Sequence, residues 1–145
     1  DAFTLPHPSV QGSPLDFSFS GLKTAVINLI HNASQKGEQL PIADLSASFR
    51  KAVVDCLLKN VILAMNGTNY KKLVIAGGVS ANSLLRRRLQ QECKEKGWEI
   101  HMPALNLCGD NAAMVGAQAY YEFLAGKIAG MDLNACAAMP IDNNF

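Results

Sequence analysis

The hydrophobic positions of this chain follow a helical period in its first half. Apolar residues recur every three or four positions in two stretches. This spacing predicts one helix from Ser20 to near Gly37 and a longer one from Pro41 to near residues 66–67. Ser20 is the expected N-cap of the first helix, and Pro41 suits the first position of the second. The second helix is expected to bury a face made of Ile42, Leu45, Phe49, Val53, Cys56, Leu57, Val61 and Ala64.

The second half of the chain alternates short apolar runs with helical segments. Residues 73–76 are apolar and rich in β-branched side chains, which predicts a buried strand. A helix is expected over 81–96 with Ser80 as its N-cap, followed by a second strand over 97–102 that Pro103 ends. Strand, helix and strand over this length predict a right-handed βαβ unit with a parallel pair of strands.

Gly77 and Gly78 lie between the first strand and its helix. Glycines suit a tight turn and the close approach of a ligand to the backbone. A helix N-terminus beyond them offers N–H donors and a positive dipole end, so a nucleotide or phosphate is the expected ligand. The dinucleotide fingerprint and the P-loop are both absent, and an ordinary tight connection remains an open alternative.

Asp110 precedes the last helical stretch, which is predicted to run to about Ala125. Asp110 is its expected N-cap. In a doubly wound sheet this helix start lies at the same carboxyl edge as the glycine turn. A carboxylate facing a bound phosphate requires a cation between them, so the pattern predicts a metal beside Asp110.

The first fifteen residues contain Pro6, Pro8 and Pro14, which predicts an extended lead-in. In the loop that follows, Phe17 and Phe19 alternate with Ser18 and Ser20, and we expect the aromatic pair to be buried. The segment is either a strand edge entering a helix or a rigid loop that presents Ser18, Ser20 and Lys23 to a ligand.

Composition excludes few function classes. The net charge of the 145 residues is +1, but segment 71–96 carries seven basic and two acidic residues, whereas 110–145 carries one basic and four acidic residues. The run Arg86, Arg87 and Arg88 is either a solvated helix face or a contact for RNA phosphates. No apolar run approaches the roughly 20 residues that span a bilayer.

The four cysteines form no Cys-x-x-Cys pair, which favours reduced thiols over disulfides or a zinc cluster. The chain begins with Asp1 and carries no signal peptide there, so we expect a fragment or a processed piece.

Three strings taken together resemble the TsaD family, also called Gcp. They are Asp16-Phe-Ser-Phe-Ser-Gly-Leu-Lys-Thr24, Ala76-Gly-Gly-Val-Ser-Ala-Asn82 and Cys108-Gly-Asp-Asn-Ala-Ala-Met114. The resemblance covers nearly the whole chain but only the carboxyl-terminal half of the family's length. It implies an α/β fold, the second lobe of an actin-like (ASKHA) ATPase, helix-rich with a short parallel sheet and incomplete alone. The expected organisation is a single domain over 1–145, with a lead-in (1–15), a helical part (16–66), a nucleotide-binding part (71–126) and a tail (127–145).

The resemblance also implies an activity. The family transfers a threonylcarbamoyl group from threonylcarbamoyl-AMP to the tRNA adenosine beside the anticodon, in the cytoplasm and with accessory proteins. Here Asn82, with Gly77, Gly78 and Ser80, would bind the adenine nucleotide (threonylcarbamoyl-AMP, ATP or AMP). Asp110 would hold one divalent metal (iron or zinc, with magnesium as an alternative). The resemblance also implies that the loop over 16–21, with Ser18, Ser20 and Gly21, borders the substrate. If the substrate is a tRNA, the positive charge of Arg86, Arg87 and Arg88 makes this run a candidate contact for its phosphates.

One departure from the family concerns its two metal-binding histidines on one helix. The histidines here are His7, His31 and His101, and none are paired at helical spacing. We therefore expect an amino-terminal lobe to be missing, and activity of this chain alone to be impaired. A metal-dependent O-sialoglycoprotein endopeptidase, the older family label, and a non-catalytic nucleotide- or partner-binding lobe remain the alternatives.

Overall fold

The computed structural model describes residues 2–7 and 9–138, which divide into two compact units, one ending at Cys108 and the other beginning at Gly109. The first unit contains three helices and two strands: α1 (Ser20–Gln35), α2 (Ile42–Thr68), β1 (Lys72–Val74), α3 (Ser83–Lys96) and β2 (Glu99–His101). The second unit contains α4 (Ala112–Leu124). The helix-rich architecture with a short sheet agrees with the sequence prediction. The assignment of 1–145 to a single lobe stays a prediction.

Helix α2 is the centre of the first unit because it packs on two sides. One buried cluster joins Ala52 to Leu22 of α1 and to Leu5 of the lead-in. Another joins α2 to α3 through Val54, Leu58, Leu85 and Leu89. The prediction of a single buried face on α2 was therefore wrong. Ile42 is 67% exposed and Phe49 is 39% exposed, whereas neighbouring positions on other faces are buried.

The two strands form a parallel pair, as predicted. Leu73 lies opposite Ile100, and the ladder continues where Ile75 N donates to His101 O at 3.1 Å. Leu73 and Ile100 pack against the clusters that α2 and α3 form, so one face of the pair is covered. Since both strands run in the same direction, the loops that follow them emerge at one edge of the sheet.

The ends of the first two helices differ from prediction by a residue or two. Phe19, not Ser20, is the N-cap of α1, and no side chain caps this helix. Pro41 is the N-cap of α2 rather than its first helical residue. At the other end, Gly67 stays helical and Asn69 adopts the left-handed conformation that ends the helix, with φ 59°. Asparagine tolerates that conformation because its short polar side chain can hydrogen-bond locally.

Asparagines also begin the other two helices, where a serine and an aspartate were predicted. Ser80 lies inside a short 3₁₀ helix, and Asn82 is the N-cap of α3. Asn111 rather than Asp110 caps α4, and its side chain accepts a hydrogen bond from Met114 N at 3.0 Å. A residue that caps a helix with its side chain typically has extended backbone, and both asparagines have it.

The lead-in is irregular, as predicted, and follows α2. Phe3 N donates to Ser48 Oγ at 3.3 Å near one end of the contact. Asn60 Nδ2 donates to the carbonyls of Leu15 and Asp16 near the other, at 3.1 and 2.9 Å. Because both ends are tied to one helix, the lead-in has a defined path along α2.

Residues 128–138 of the tail contain no helix or strand. The rest of the predicted tail, residues 139–145, lies outside the described residues. Among the helices of the described residues, none is long and apolar enough to cross a membrane.

The cysteines are free thiols, which agrees with the prediction. Burial raises the pKa of the Cys56 thiol, and Asp55 adds to the shift while Lys59 opposes it. Burial also raises the pKa of Cys93, with a smaller contribution from Glu92. Both thiols therefore stay protonated in the folded chain at pH values where an exposed thiol, with a pKa of about 8.5, starts to ionise.

Alkylation should separate the cysteines by burial. We expect iodoacetamide at pH 8 to modify Cys136, which is exposed, well before Cys56 and Cys93. Peptide mass mapping of timed samples measures the order in which the cysteines are modified, and equal rates for the three cysteines would contradict the prediction.

The raised pKa values also make the stability of the chain depend on pH. Since the folded pKa of each buried thiol exceeds its unfolded value, the stability it contributes is present below about pH 8.5 and declines as the pH rises further.

Candidate functional site

The loop after β1 forms an open ledge at the carboxyl edge of the sheet. Gly77 has φ 79° and ψ 168°, a backbone conformation that residues with a Cβ rarely adopt. Gly78 begins the 3₁₀ helix that leads to α3. A Cβ at either glycine would meet nothing within 4 Å, so the space above both residues is open. The predicted glycine turn is present, with a 3₁₀ turn between it and the helix.

Ser80 lies beneath this ledge rather than on it. The residue is 2% exposed, and its hydroxyl has no hydrogen-bond partner among the described residues. A ligand on the open side of the turn would therefore approach Gly77 and Gly78 first. An unpaired buried hydroxyl is rare and often marks a place for water or a bound group.

Asn82 connects the ledge to α3. Its side-chain oxygen accepts hydrogen bonds from Leu84 N at 3.0 Å and Leu85 N at 3.2 Å. Those two N–H groups are consequently occupied and do not point at a ligand. The amide nitrogen of Asn82 makes no hydrogen bond within the described residues, so it is the group that Asn82 can offer to a ligand.

Two substitutions separate the structural role of Asn82 from a ligand contact. Asn82→Ala removes the cap and should lower the free energy of unfolding by about 1 kcal/mol. Asn82→Asp keeps the accepting oxygen and adds a negative charge at the helix N-terminus, so stability should be retained. If Asn82 also donates to a nucleotide, both variants lose affinity for AMP. Chemical denaturation and calorimetry measure the two quantities, and wild-type AMP binding by Asn82→Asp would exclude the ligand contact.

Arg86 joins the two loops that follow the parallel strands. Its guanidinium donates to Ser80 O at 3.0 Å and to Pro103 O at 2.8 Å, and it lies 3.7 Å from Cys108 Sγ. The planar fork suits this arrangement because it offers several donors in fixed directions. Arg86 thus supports the floor of the ledge, and its positive charge stays beside the turn.

The arginine run does not act as one surface. Arg88 forms an ion pair with Asp55 at 3.1 Å, which links α3 to α2, and Lys51 pairs with the same carboxylate at 3.1 Å. This pairing holds the Asp55 side chain partly buried, with 23% of it exposed. Arg87 is exposed and makes no hydrogen bond or ion pair within the described residues. Of the three arginines, only Arg87 is available for a phosphate without breaking internal contacts.

Asp110 lies in the second unit and is exposed. Because Asn111 caps α4, the Asp110 carboxylate is not used for capping. The described residues contain no cluster of three His, Cys, Asp or Glu side chains that could hold a metal ion. Asp110 alone does not make a metal site, and its expected convergence with the glycine turn stays a prediction.

A second concavity lies between the lead-in and α2. This cleft, which we call the lead-in cleft, has a volume of about 410 Å³. Its walls come from the lead-in, from the loop over 16–19, which includes Ser18, and from α2 through Asp55, Cys56, Lys59, Asn60 and Leu63. Ser20 and Gly21 are exposed and begin α1 rather than lining the cleft.

The aromatic pair at this cleft was expected to be buried, and that prediction was wrong. Phe17 is 48% exposed and Phe19 is 38% exposed. The two rings are nearly parallel, with an interplanar angle of 8° and centroids 6.1 Å apart. The alternation of aromatic and hydroxyl side chains does not form a strand here, so the strand alternative is wrong. The presentation of Ser18, Ser20 and Lys23 to a ligand stays a prediction.

Sequence reasoning missed the lead-in cleft and the support role of Arg86. Both depend on contacts between residues far apart along the chain, such as Asn60 with Leu15. The prolines signalled an irregular lead-in, but not the helix it would follow. The one sequence feature that could have indicated the cleft was the placement of two phenylalanines beside polar residues.

Comparison with known proteins identifies relatives of this chain. A family model described as "TsaD: tRNA N6-adenosine threonylcarbamoyltransferase" matches residues 1–117. A curated protein of that name from Clostridium botulinum (strain 657 / Type Ba4) is 46% identical over 135 residues, which are 93% of this chain and 40% of the relative. A protein of the same name from Limosilactobacillus reuteri (strain DSM 20016) is 45% identical over 144 residues, 98% of this chain and 42% of the relative. The chain thus spans about two fifths of these relatives' length.

Proposed function

Since the chain belongs to the TsaD family, we propose that it is the carboxyl-terminal part of a tRNA adenosine threonylcarbamoyltransferase. In the proposed reaction, the N6 amine of the adenosine adjacent to the anticodon attacks the carbamoyl carbon of threonylcarbamoyl-AMP. The bond from that carbon to the phosphate oxygen breaks, AMP leaves, and the amine loses a proton. The observation that carries the proposal is the open ledge at Gly77 and Gly78, directly before a capped helix.

The residues of the ledge support a binding and orienting role. Gly77 and Gly78 leave room for a phosphate to approach the backbone. The amide nitrogen of Asn82 can donate to the nucleotide, while its oxygen keeps the start of α3 in place. The positive end of α3 and the charge of Arg86 favour the negative charge that grows on the departing phosphate. No protein nucleophile is required because the RNA supplies the amine.

A divalent metal, with iron or zinc as first candidates and magnesium as the alternative, belongs to the proposal for the whole protein rather than for this chain. Asp110 would supply one ligand, and the others would come from the part of the relatives that this chain does not span. We derive no step through the metal, because one carboxylate does not make a site. When bound, such a metal would stabilise phosphate charge.

The same proposal extends to fold and partners. We infer that the first unit belongs to the second lobe of an actin-like (ASKHA) fold and works with an amino-terminal lobe. The parallel strands, with the start of α3 after the carboxyl end of β1, support this. Accessory proteins of the pathway and a cytoplasmic setting complete the proposal.

For tRNA, Arg87 is the candidate phosphate contact within the arginine run. Arg87→Glu should weaken tRNA binding and reduce the salt slope of the binding constant by about 1, because one phosphate contact is lost. Its exposure predicts an unchanged free energy of unfolding. Filter binding at several salt concentrations measures the tRNA binding constant and its salt slope. Gln90→Glu, at an exposed neutral position on the same helix, is the charge control. Equal losses in the two variants would mean that a general charge effect is responsible.

The transfer activity can be tested with a hybrid chain. The segment of the Clostridium botulinum relative outside the matched region is joined to residues 1–145, and the hybrid is incubated with tRNA and threonylcarbamoyl-AMP. We expect a nucleoside digest to contain threonylcarbamoyladenosine. A hybrid that folds, judged by circular dichroism, but leaves adenosine unmodified while the complete relative modifies it contradicts the proposal. A sialoglycoprotein incubated in parallel tests the endopeptidase alternative, and AMP binding without transfer would favour a binding lobe.

A further inference from the structure

We propose that helix α4 is a self-complementary surface through which two copies of this chain form a symmetric dimer. The inference does not depend on the proposed transfer activity. Within the described part of the chain, no residue of α4 is buried. A helix that is apolar around most of its circumference is normally covered by other protein, so the exposure of α4 has to be explained by a partner.

The polar groups of α4 are confined to one side and satisfy one another there. Gln118 Nε2 donates to Glu122 Oε1 at 2.7 Å, and Lys127 forms an ion pair with Glu122 at 3.6 Å. At about 100° per residue, the opposite side of the helix carries a stripe without any charged residue. This stripe, which we call the α4 seam, consists of Ala113, Ala117, Tyr120 and Leu124. Two copies that meet along the seam bury no charge.

The spacing of the seam is that of a helix–helix contact. Its four residues are separated by four, three and four positions, which is the repeat that places side chains on the contact line between two packed helices. Gly116 lies beside the seam, and a Cβ there would meet nothing within 4 Å, so a side chain of another molecule can approach the backbone.

The sizes of the seam residues favour one arrangement of the two copies. The first half of the seam is small and the second half is large. In an antiparallel pair around a two-fold axis, Ala113 faces Leu124 of the second copy, and Ala117 faces Tyr120 of the second copy. Large side chains then fill the space above small ones. A parallel pair would place large residues against each other at one end and leave a gap at the other.

The exposed apolar area is sufficient for a stable dimer. Tyr120, Tyr121 and Phe123 are between 59% and 67% exposed, and the apolar exposure continues beyond them at Leu124, Ile128, Met131 and Leu133. Since a buried aromatic side chain covers about 150–250 Å² and a large aliphatic one roughly 100 Å², these residues offer on the order of 700 Å² per chain. Two copies would bury roughly 1,400 Å², within the range of about 1,200–2,000 Å² for stable interfaces. Monomers rarely expose apolar patches beyond about 300–600 Å².

A second copy fits this surface better than an unrelated protein does, because the seam itself supplies both halves of the match. An interface around a two-fold axis uses the same patch on both molecules, so each small residue needs a large one in the symmetry-related position. The seam meets that condition at both of its pairs.

Sedimentation equilibrium of the 145-residue chain measures the dimer directly. We expect a closed monomer–dimer equilibrium. Leu124→Asp should weaken the dimer about a hundredfold or more, since symmetry places the lost apolar contact in the interface twice. Val115→Asp is the matched control, because Val115 is 63% exposed, compared with 62% for Leu124, and lies on the opposite side of α4. It should change the dimer constant less than twofold, and circular dichroism verifies that both variants keep their helices.

A change of size separates a specific pair from general apolar attraction. Ala117→Leu adds apolar surface without lowering helix propensity much, yet it should weaken the dimer about tenfold or more, because the added side chain collides with Tyr120 of the second copy. The double variant Ala117→Tyr/Tyr120→Ala exchanges the large and small positions. It should restore the dimer constant to within about threefold of wild type.

Disulfide formation tests the antiparallel direction. In a Cys136→Ser background, a mixture of Ala113→Cys and Leu124→Cys chains should form an intermolecular disulfide under oxidation. Neither variant alone should do so, because identical positions at the ends of an antiparallel seam lie about 16 Å apart, too far for a disulfide.

Several results would overturn the proposal. They are a chain that stays monomeric at every concentration, equal weakening by Leu124→Asp and Val115→Asp, and stronger association of Ala117→Leu. Disulfides in either single cysteine variant would exclude the antiparallel pair. A hybrid chain, built as for the transfer assay, that is folded and monomeric would assign the seam to the part of the relatives that this chain does not span, and would also overturn it.

Discussion

Leu89→Ala is expected to produce the largest loss of stability in this chain. Leu89 is 2% exposed and belongs to the cluster that holds α3 against α2. Removing a fully buried leucine side chain costs about 2–5 kcal/mol, which includes the cavity it leaves. Small domains are stable by only about 5–15 kcal/mol, so the variant should be largely or partly unfolded near 37 °C. Urea denaturation followed by circular dichroism measures the change.

The matched control is Leu105→Ala, because Leu105 is the same residue type but 64% exposed. Its free energy of unfolding should change by no more than about 0.5 kcal/mol. A comparable loss in both variants would mean that burial does not determine the effect. In that case, the α2–α3 cluster is not the centre of stability in the first unit.

Arg86→Ala is expected to destabilise the two loops at the carboxyl edge of the sheet. The substitution removes a charged donor from the carbonyls of Ser80 and Pro103. Hydrogen bonds to charged groups contribute about 1.5–3 kcal/mol, and part-buried carbonyls without a partner add to the loss. We therefore expect the free energy of unfolding to fall by about 2–3 kcal/mol. Arg86→Lys should recover only part of it, since lysine keeps the charge but lacks the planar fork.

Arg87→Ala provides the comparison on the neighbouring residue. Arg87 is exposed and has no hydrogen-bond or ion-pair partner within the described part of the chain, so its removal should change stability by no more than about 0.5 kcal/mol. Hydrogen exchange adds a local readout: protection should fall around the glycine turn in Arg86→Ala and stay unchanged in Arg87→Ala. Equal behaviour of the two variants would contradict the support role of Arg86.

Element type could be predicted from local pattern, and element ends could not. The periods of the hydrophobic residues correctly indicated four helices and two short parallel strands. Ser80 and Asp110 were both reasonable N-caps by residue type, yet asparagines cap α3 and α4. Capping depends on which residue has extended backbone at the point where the helix begins, and neighbouring residues with similar preferences compete for that position.

The candidate site likewise contains one feature that the sequence predicted and others that it could not predict. Gly77 has the positive φ that its place between a strand and a helix suggested, because few other residues tolerate that backbone. The roles of the three arginines could not be predicted, since they are consecutive and chemically equal. Their surroundings differ: Arg86 meets two loop carbonyls and Arg88 meets a carboxylate on α2.

The sequence by itself determined the family, the order of the elements and the need for glycine at the turn. Each of these depends on residue identity and on spacing within a short stretch. Only the tertiary structure decided that α2 packs on two sides, that Arg86 and Arg88 are held by internal contacts, and that the lead-in leaves a cleft beside two exposed phenylalanines. These features arise from contacts between residues distant along the chain, and such contacts depend on how the helices pack rather than on local preference.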